Sequence, residues 1–376
     1  MIEKRLDGIR SIGLSRRAFM QSAISVGALG ALGLNTRAAS ATRSGRLVID
    51  GLDTSVVNEG FLKLLRMGGV DCVHKSIGNP DDIASLYGFA YEHRKELTIA
   101  KTVGEILRAR EDGKLSFILG SQSANYFEKA LYSGDLNNFS NMARAVRAFK
   151  GLGVGIQGLC YNTTNAFGSG CLDHEPPLTR AGRRLVEMIH KNQIILDVGG
   201  HTGERTSLDA IEMSSGVPIV CTHSNFAALN PNRRNISDRL AEAIARTGGV
   251  IGITAISAFH THNAKTSGKK DRQATLSEHM DHYDHAKRLL GVQHVGIGPD
   301  FVWGWGETRE IDPEDSWAFP SDVMPRGLRS VVKDFENISK LPSLVQGLKE
   351  RGWTEQDLDA LLGGNWLRVY KQVWGS

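Results

Sequence analysis

Eight short apolar runs, separated by longer stretches with helical periodicity, constrain the fold of this chain more than any other feature. Amphipathic stretches such as 180–190, 237–247 and 277–290 lie between the runs. Strands that alternate with helices form parallel sheets, and eight parallel strands close a TIM-like (β/α)8 barrel. The sequence therefore predicts an α/β barrel, with strands at residues 47–50, 70–74, 116–120, 155–159, 194–197, 219–222, 250–254 and 294–298.

The first 41 residues have the three-part pattern of an export signal. A twin-arginine motif at 15–20 precedes an apolar stretch at 23–34 and an A-x-A cleavage site at 39–41. The alternative is an ordinary basic amphipathic start. The pattern predicts a twin-arginine signal peptide at 1–41, a periplasmic protein, and one barrel domain at 42–376. The apolar stretch is shorter than the roughly 20 residues that span a bilayer, so no stable membrane anchor is expected.

Charge and cysteine content exclude two other classes. The formal net charge is +4, and the basic residues alternate with acidic ones instead of forming a stripe, which argues against a nucleic-acid partner. The four cysteines include no C-x-x-C pair, so a disulfide scaffold is not indicated. Cys160 and Cys171 could bridge in an oxidising compartment, but buried free thiols are the favoured state.

Three polar residues stand at the ends of predicted strands. His201 and His223 follow two successive runs, and Asp300 follows the last one. The carboxyl ends of barrel strands converge on one rim, where such side chains meet. Imidazole and carboxylate groups are zinc ligands, and catalytic zinc keeps one position for water. A zinc hydrolase is therefore the first hypothesis, although a single histidine at a strand end is more often structural.

Other conspicuous features are expected to be structural. His279, His282 and His285 repeat at three-residue spacing, but residues six apart drift off one helix face, which favours a solvated face over a metal cluster. Asp53 is expected to cap a helix or form a turn. The segment 301–328 lacks periodicity and is predicted to form a long loop over the barrel mouth.

Four motifs carry a family resemblance. They are L-T-R-A-G-R at 178–183, T-H-S-N at 222–225, R-N-I-S-D at 234–238 and H-V-G-I-G-P-D-F at 294–301. From residue 49 to about residue 370 the chain resembles the membrane dipeptidase (renal dipeptidase) family. The resemblance implies a zinc enzyme on a TIM-like barrel, related to the amidohydrolases, with a small peptide as substrate and a homodimer as a common state.

The chain differs from the family pattern at several metal positions. The family's first strand ends in D-G-H-x-D, whose histidine and aspartate hold one zinc, whereas this chain has Leu52 and Thr54 at those places. Gln122 replaces the glutamate that bridges the two ions, and Tyr161 replaces a substrate-facing histidine in L-T-H-x-x-x-N. This combination resembles a divergent bacterial branch of the family with an altered metal site.

Other family positions are kept. The resemblance implies that His223 and His201 bind one zinc, although one extra residue precedes His201. It also implies that Arg234 contacts the substrate's carboxylate, and it places Asn165 at the last position of the L-T-H-x-x-x-N motif, where we expect it to bind substrate. Asp300 keeps the position of the family's last-strand aspartate.

Two hypotheses follow for the function. In the first, His201, His223 and Gln122 or water hold one zinc, Asp300 transfers the proton of the activated water, and Tyr161 stabilises the carbonyl oxygen. The protein would then be a periplasmic dipeptidase-like hydrolase of a peptide or amide bond. In the second, the metal site is lost and the barrel binds or matures a small peptide-like metabolite. The surviving groups favour the first.

Overall fold

The fold is known from a computed structural model that describes residues 45–133, 139–173, 176–266, 272–304, 319–325 and 331–375. These residues belong to one compact unit, Arg43–Ser376. The predicted signal peptide at 1–41 lies outside the described residues, as do large parts of the predicted loop at 301–328. Within the described ranges, no helix has the length and apolar character needed to cross a membrane.

The described chain contains nine parallel strands, and eight of them follow one another around a barrel. The path runs β1-β2-β4-β5-β6-β7-β8-β9, and β3 pairs with the beginning of β4 beside it. A parallel bridge between Asp53 and Phe301 brings the end of the last strand to the end of the first. The strands are β1 (Ile49–Asp53), β2 (Cys72–Ser76), β3 (Leu97–Ile99), β4 (Leu115–Ser121), β5 (Val154–Gly158), β6 (Ile195–Asp197), β7 (Ile219–Ser224), β8 (Ile251–Ile253) and β9 (Val295–Ile297).

This architecture confirms the predicted TIM-like (β/α)8 barrel. Each of the eight apolar runs overlaps one strand of the barrel path. The strand β3 was not predicted, because it is only three residues long and two of the three are only half-buried.

Helices follow the strands, as the pattern predicted. They are α1 (Glu59–Met67), α2 (Pro80–Glu92), α3 (Val103–Glu111), α4 (Asn125–Tyr132), α5 (Ser140–Gly151), α6 (Arg180–Lys191), α7 (Glu204–Met213), α8 (Asp238–Arg246), α9 (Ala258–Thr261), α10 (Leu276–Leu290), α11 (Leu341–Glu350), α12 (Glu355–Asp359) and α13 (Asn365–Trp374). A π-helical segment, Ala360–Gly364, joins the last two. Capping boxes begin several of these helices; Thr275 and Glu278 of α10, for example, satisfy each other's backbone N–H groups.

The C-terminal helix α13 closes one end of the barrel. Trp366 and Tyr370 pack with side chains from the amino-terminal halves of successive strands, among them Ile49, Cys72 and Ile195. The indole N–H of Trp366 donates to the carbonyl oxygen of Ile297 at 3.0 Å. Because this end is filled, polar groups can gather only at the opposite rim, where the strands end.

The four cysteines are free thiols, as favoured from the sequence. Cys72, Cys160 and Cys221 are buried and Cys171 is half-buried.

Candidate active site

Two imidazoles lie side by side at the carboxyl ends of β6 and β7. His223 belongs to β7, and His201 follows β6 after a turn through Gly199 and Gly200. The ring centroids are 5.0 Å apart, and the residues are only 3% and 5% exposed. Both glycines have positive φ, +80° and +61°, which lets the turn absorb the extra residue before His201. We call His201 and His223 the imidazole pair.

Hydrogen bonds determine which nitrogen of each ring carries the proton. His201 Nδ1 lies 2.6 Å from Asn162 Oδ1, and His223 Nδ1 lies 2.9 Å from Thr222 Oγ1. The Thr222 hydroxyl donates to Asp197 Oδ2 at 2.6 Å, so it accepts from His223. Both Nδ1 atoms are therefore donors, and Nε2 is the nitrogen of each ring that could bind a metal. Outer partners of this kind orient histidines that bind metals.

Asp197, Thr222 and Asn162 were not singled out from the sequence. Asp197 ends β6 and accepts two hydrogen bonds from Thr222, one from the backbone N–H at 2.9 Å and one from the hydroxyl. Burial raises the pKa of Asp197 to about 6, although the bonds from Thr222 oppose the shift. Their position at strand ends was the only available signal, since the pairing of β6 with β7 brings them together.

Tyr161 and Gln122 lie on the β4 and β5 side of the pair. The ring of Tyr161 stacks on that of His201 with centroids 3.9 Å apart. Tyr161 and Gln122 both line a polar cleft of about 330 Å³. Gln122 Nε2 donates to Ser76 Oγ at 2.8 Å, so its amide is oriented by β2.

Arg234 is fully buried directly beside the pair. Its two terminal nitrogens lie 3.4 Å from the carbonyl oxygen of His223, which is a weak contact for an N–H donor. The guanidinium lies 5.3 Å from the ring centroid of Phe259. Nε has no hydrogen-bond partner among the described residues. A guanidinium with unused donors is suited to a carboxylate, which it binds bidentately.

Asp300 and Asn165 lie in other surroundings. Asp300 is buried, has a positive φ of +57°, and donates its backbone N–H to the carbonyl oxygen of Leu52 at 3.1 Å, which places it beside β1. Burial, together with the charges of Asp53 and Asp300, raises the pKa of Asp50 well above its usual value. The side chain of Asn165 bonds to Leu159 and Phe167 and shapes the loop after β5. The roles of Asp300 and Asn165 in substrate chemistry stay predictions.

The end of β1 presents no metal-binding side chain at the two substituted positions. Leu52 is fully buried, and the hydroxyl of Thr54 donates to the carbonyl oxygen of Phe301 at 2.8 Å. Asp53 accepts from the backbone N–H of Ser55, as expected of a turn residue, and also forms a buried ion pair with Lys75 at 2.7 Å. Among the described residues no group of three or more histidines, cysteines or acids is arranged to hold a metal ion. Among the described residues, the imidazole pair offers two nitrogen ligands for one ion, where catalytic zinc usually has three protein ligands.

A second histidine group lies away from the pair. His279 and His282, expected on a solvated helix face, are 0% and 2% exposed, so that interpretation was wrong for both. They pack against His260 of α9, with His260 Nε2 3.0 Å from His279 Nδ1. The sequence could not show this, because the helical period does not tell which element covers a face. We call His260, His279 and His282 the histidine trio.

Comparison with known proteins identifies the family. The sequence model of the membrane dipeptidase family, peptidase family M19, matches residues 81–312 and 318–374. The chain belongs to the membrane dipeptidase family. This assignment confirms the resemblance found in the motifs, and family members of this kind are metallopeptidases that act on peptides.

The individual relatives have low sequence identity to this chain, but the matches cover most of its length. The chain is 29% identical over 285 residues to an uncharacterized protein in the pqqA 5′ region of Klebsiella pneumoniae, covering 74% of this chain and 89% of that protein. It is 25% identical over 286 residues to the dipeptidase tcpJ of Claviceps purpurea, covering 75% of this chain and 56% of the relative. A solved amidohydrolase from Pseudomonas aeruginosa superposes with a TM-score of 0.75 at 26% identity, covering 88% of this chain and 97% of that one.

Proposed function

We propose that this membrane dipeptidase relative is a periplasmic hydrolase that cleaves a small peptide or amide bond with one zinc ion at the imidazole pair. The observation that carries the proposal is the state of the two rings. Each ring donates from Nδ1 to an oxygen acceptor, which makes Nε2 the nitrogen that would bind a metal. The 5.0 Å between the ring centroids lets both nitrogens reach one ion.

Zinc at this place would supply Lewis acidity, which lowers the pKa of a bound water molecule to about 7. The chain's own residues supply orientation and proton transfer. Asn162 and the Asp197–Thr222 pair hold the imidazoles in position. Gln122, whose amide is oriented by Ser76, is the candidate third protein ligand.

The substrate would be held on both sides of the reacting bond. Arg234 receives its carboxylate, because the guanidinium has donors that the protein itself uses only weakly. The phenol of Tyr161, stacked on His201, donates a hydrogen bond to the carbonyl oxygen as negative charge develops there. Asp300 takes the proton of the attacking water and returns it to the leaving amine. Asn165 positions the loop that carries Tyr161.

Export belongs to the same proposal. The twin-arginine pattern at 15–20 would carry the folded chain to the periplasm, where the mature protein begins near residue 42. A homodimer is the assembly that the family resemblance suggests, and nucleic acid and a membrane anchor have no part in it.

The test is metal analysis of the purified protein together with a dipeptide hydrolysis assay. We expect close to one zinc per chain, activity that a chelator removes and zinc restores, and loss of both in His223→Ala. His93→Ala, which changes an imidazole stacked on Phe89, serves as the control and should keep both. A folded protein that takes up no zinc and cleaves no dipeptide would refute the proposal.

A second candidate function rests on the end of β1. Leu52 and Thr54 replace two ligands, and the buried Lys75–Asp53 ion pair lies next to them. These features favour a barrel that binds or matures a peptide-like metabolite without metal. The same analysis separates the candidates, because this one predicts ligand binding that is unchanged by a chelator.

A further inference from the structure

We propose that the cleft next to the imidazole pair selects substrates whose acyl part, on the N-terminal side of the cleaved amide, carries no free ammonium group. We further propose that it favours an acyl part with its own carboxylate. The inference rests on the proposed function, since it assigns the substrate class of that site. The side cleft is lined by Ser76, Ile77, Gly78, Ser121, Gln122, Ser123, Asn125, Tyr126, Lys129 and Tyr161.

The side cleft lies on the same rim as the candidate site. Ser76 ends β2, Ser121 ends β4, and Tyr161 follows β5. Because the ring of Tyr161 is stacked on His201, the side cleft begins where the imidazole pair ends. Its volume of about 330 Å³ corresponds to roughly ten water molecules, which is enough for one small acyl or aminoacyl group.

The lining of the side cleft carries eight polar side chains and no carboxylate. The ten lining residues, all of them described, contribute five hydroxyl groups, two amides and one ammonium group, while Ile77 has the one sizeable apolar side chain. Lys129 carries the charge and is exposed to solvent. A cation that leaves water needs compensating acceptors or an opposite charge, and a second ammonium group here would instead meet Lys129.

Two acids close in sequence to the lining residues lie outside the lining and accept hydrogen bonds from backbone donors. Asp82 accepts from the N–H groups of Gly78 and Asn79 at 2.6 and 2.8 Å, as part of the cap of α2. Glu128 Oε1 accepts from the N–H of Ala166 at 2.9 Å. The hydroxyl of Tyr126 donates to the carbonyl oxygen of Gly78. Lys129 is therefore the one charged group among the lining residues, while the charges of Asp81 and Asp82 act on the Tyr126 hydroxyl from outside the lining.

These charges orient the substrate. Arg234 binds the carboxylate of the C-terminal part of the substrate. The acyl part, on the N-terminal side of the scissile amide, therefore faces the side cleft. In an ordinary dipeptide this side bears an ammonium group, whereas in an N-acyl amino acid it bears none. Hydrolysis of the latter adds water across the amide: oxygen bonds to the carbonyl carbon, the C–N bond breaks, and the amine leaves with the proton, which yields an acid and a free amino acid.

Three alanine conjugates test the proposal, because they share the carboxylate for Arg234 and the amide to be cleaved. Glycyl-alanine carries an ammonium group, acetyl-alanine is neutral on that side, and succinyl-alanine adds a carboxylate. We expect kcat/KM to be highest for succinyl-alanine and lowest for glycyl-alanine. Lys129→Gln should raise KM for succinyl-alanine about threefold to fivefold, the range of exposed charge pairs, and should change KM for acetyl-alanine less.

Two further variants complete the test. Lys129→Glu should reverse the order of succinyl-alanine and glycyl-alanine, and Lys63→Gln, at an exposed lysine of α1, should change neither. A preference for glycyl-alanine in the wild-type protein, or a preference for succinyl-alanine that Lys129→Glu leaves intact, overturns the proposal.

Calorimetry separates this proposal from the hydrolase itself. If no conjugate is cleaved, the proposed function fails, but tighter binding of succinyl-alanine than of glycyl-alanine, weakened in Lys129→Gln, still supports the selectivity of the side cleft. Equal affinities for the two conjugates contradict it.

Discussion

The imidazole pair and the histidine trio are both buried, yet their hydrogen bonds differ in a way that separates a candidate metal site from a packed interior. In the pair, each Nδ1 donates to a side-chain oxygen. In the trio, His260 bonds to the carbonyl oxygen of Ile256 through Nδ1 and to His279 through Nε2, both at 3.0 Å. Burial alone does not identify a ligand: in the pair the partners of Nδ1 are side chains at strand ends, whereas in the trio the rings bond to a backbone carbonyl and to each other.

The trio also differs in its charge state. Burial lowers the pKa of His260 to about 4 and the pKa values of His279 and His282 well below the usual 6.5. The carboxylates of Glu278 and Asp281 act in the opposite direction on His260, but burial outweighs them. The backbone N–H of Phe226 donates to His282 Nδ1 at 3.2 Å, which also requires a neutral ring. The trio therefore belongs to the packing between α9 and α10.

Removing one ring from each group is the most direct test of the difference between the imidazole pair and the histidine trio. His201→Ala should lose bound zinc and lower kcat/KM by more than about a hundredfold, because loss of a direct ligand exceeds the tenfold to hundredfold effect of its outer partners. His282→Ala should retain zinc and activity at neutral pH. Metal analysis and steady-state kinetics of both variants check this. If His282→Ala loses zinc and His201→Ala does not, the roles assigned to the two groups are reversed.

A smaller effect is expected from the outer partner of His223. Thr222→Val keeps the shape of the side chain but removes the acceptor of the Nδ1 proton and leaves Asp197 without its hydroxyl donor. We expect zinc affinity to fall about tenfold to hundredfold. Thr222→Ser, which retains the hydroxyl, should restore it. Competition with a chelator measures the affinities, and equal values for the two variants would show that the threonine has only a packing role.

The histidine trio should make the free energy of unfolding depend on pH. A histidine whose pKa is lowered in the folded state binds fewer protons there than in the unfolded state. Its contribution to the free energy of unfolding is therefore complete above about pH 6.5 and is lost as the pH falls towards about 4. Each such ring changes the free energy of unfolding by about 1.4 kcal/mol per pH unit in this window.

The variant His279→Phe isolates this contribution. It should reduce the pH slope of the free energy of unfolding, measured by denaturant titration between pH 5 and 7, by about 1.4 kcal/mol per pH unit. His93→Phe should leave the slope unchanged. An unaltered slope in His279→Phe would mean that His279 is protonated in the folded protein.

The turn before His201 gives the smallest predicted effect. A Cβ added to Gly200 would lie 2.1 Å from Nη1 of Arg234, and the residue also has a positive φ. Gly200→Ala should cost about 1–2 kcal/mol of backbone strain and displace the guanidinium, which raises KM. Gly69→Ala, also at positive φ but with open space around it, should cost only the strain. Thermal unfolding and kinetics of the two variants separate strain from contact.

Much of the fold and part of the site could be read from the sequence. Short apolar runs that alternate with stretches of helical periodicity predicted the strands and helices, and the ends of the runs predicted that His201 and His223 would meet. The short strand β3 and the inward side of α10 could not be predicted, because a three-residue pattern is too short and a helical face does not name its neighbour. Within the loop 301–328, the structure describes only residues 301–304 and 319–325. Its expected course over the barrel mouth therefore stays a prediction.

The sequence by itself determined the barrel and the family, because local periodicity and short motifs are properties of neighbouring residues. Only the tertiary structure decided the hydrogen-bond partners of His201 and His223, the buried pairing of Lys75 with Asp53, and the enclosure of the trio. The physical reason is that these states depend on partners from other strands and helices, which strand register and helix packing bring within hydrogen-bond distance.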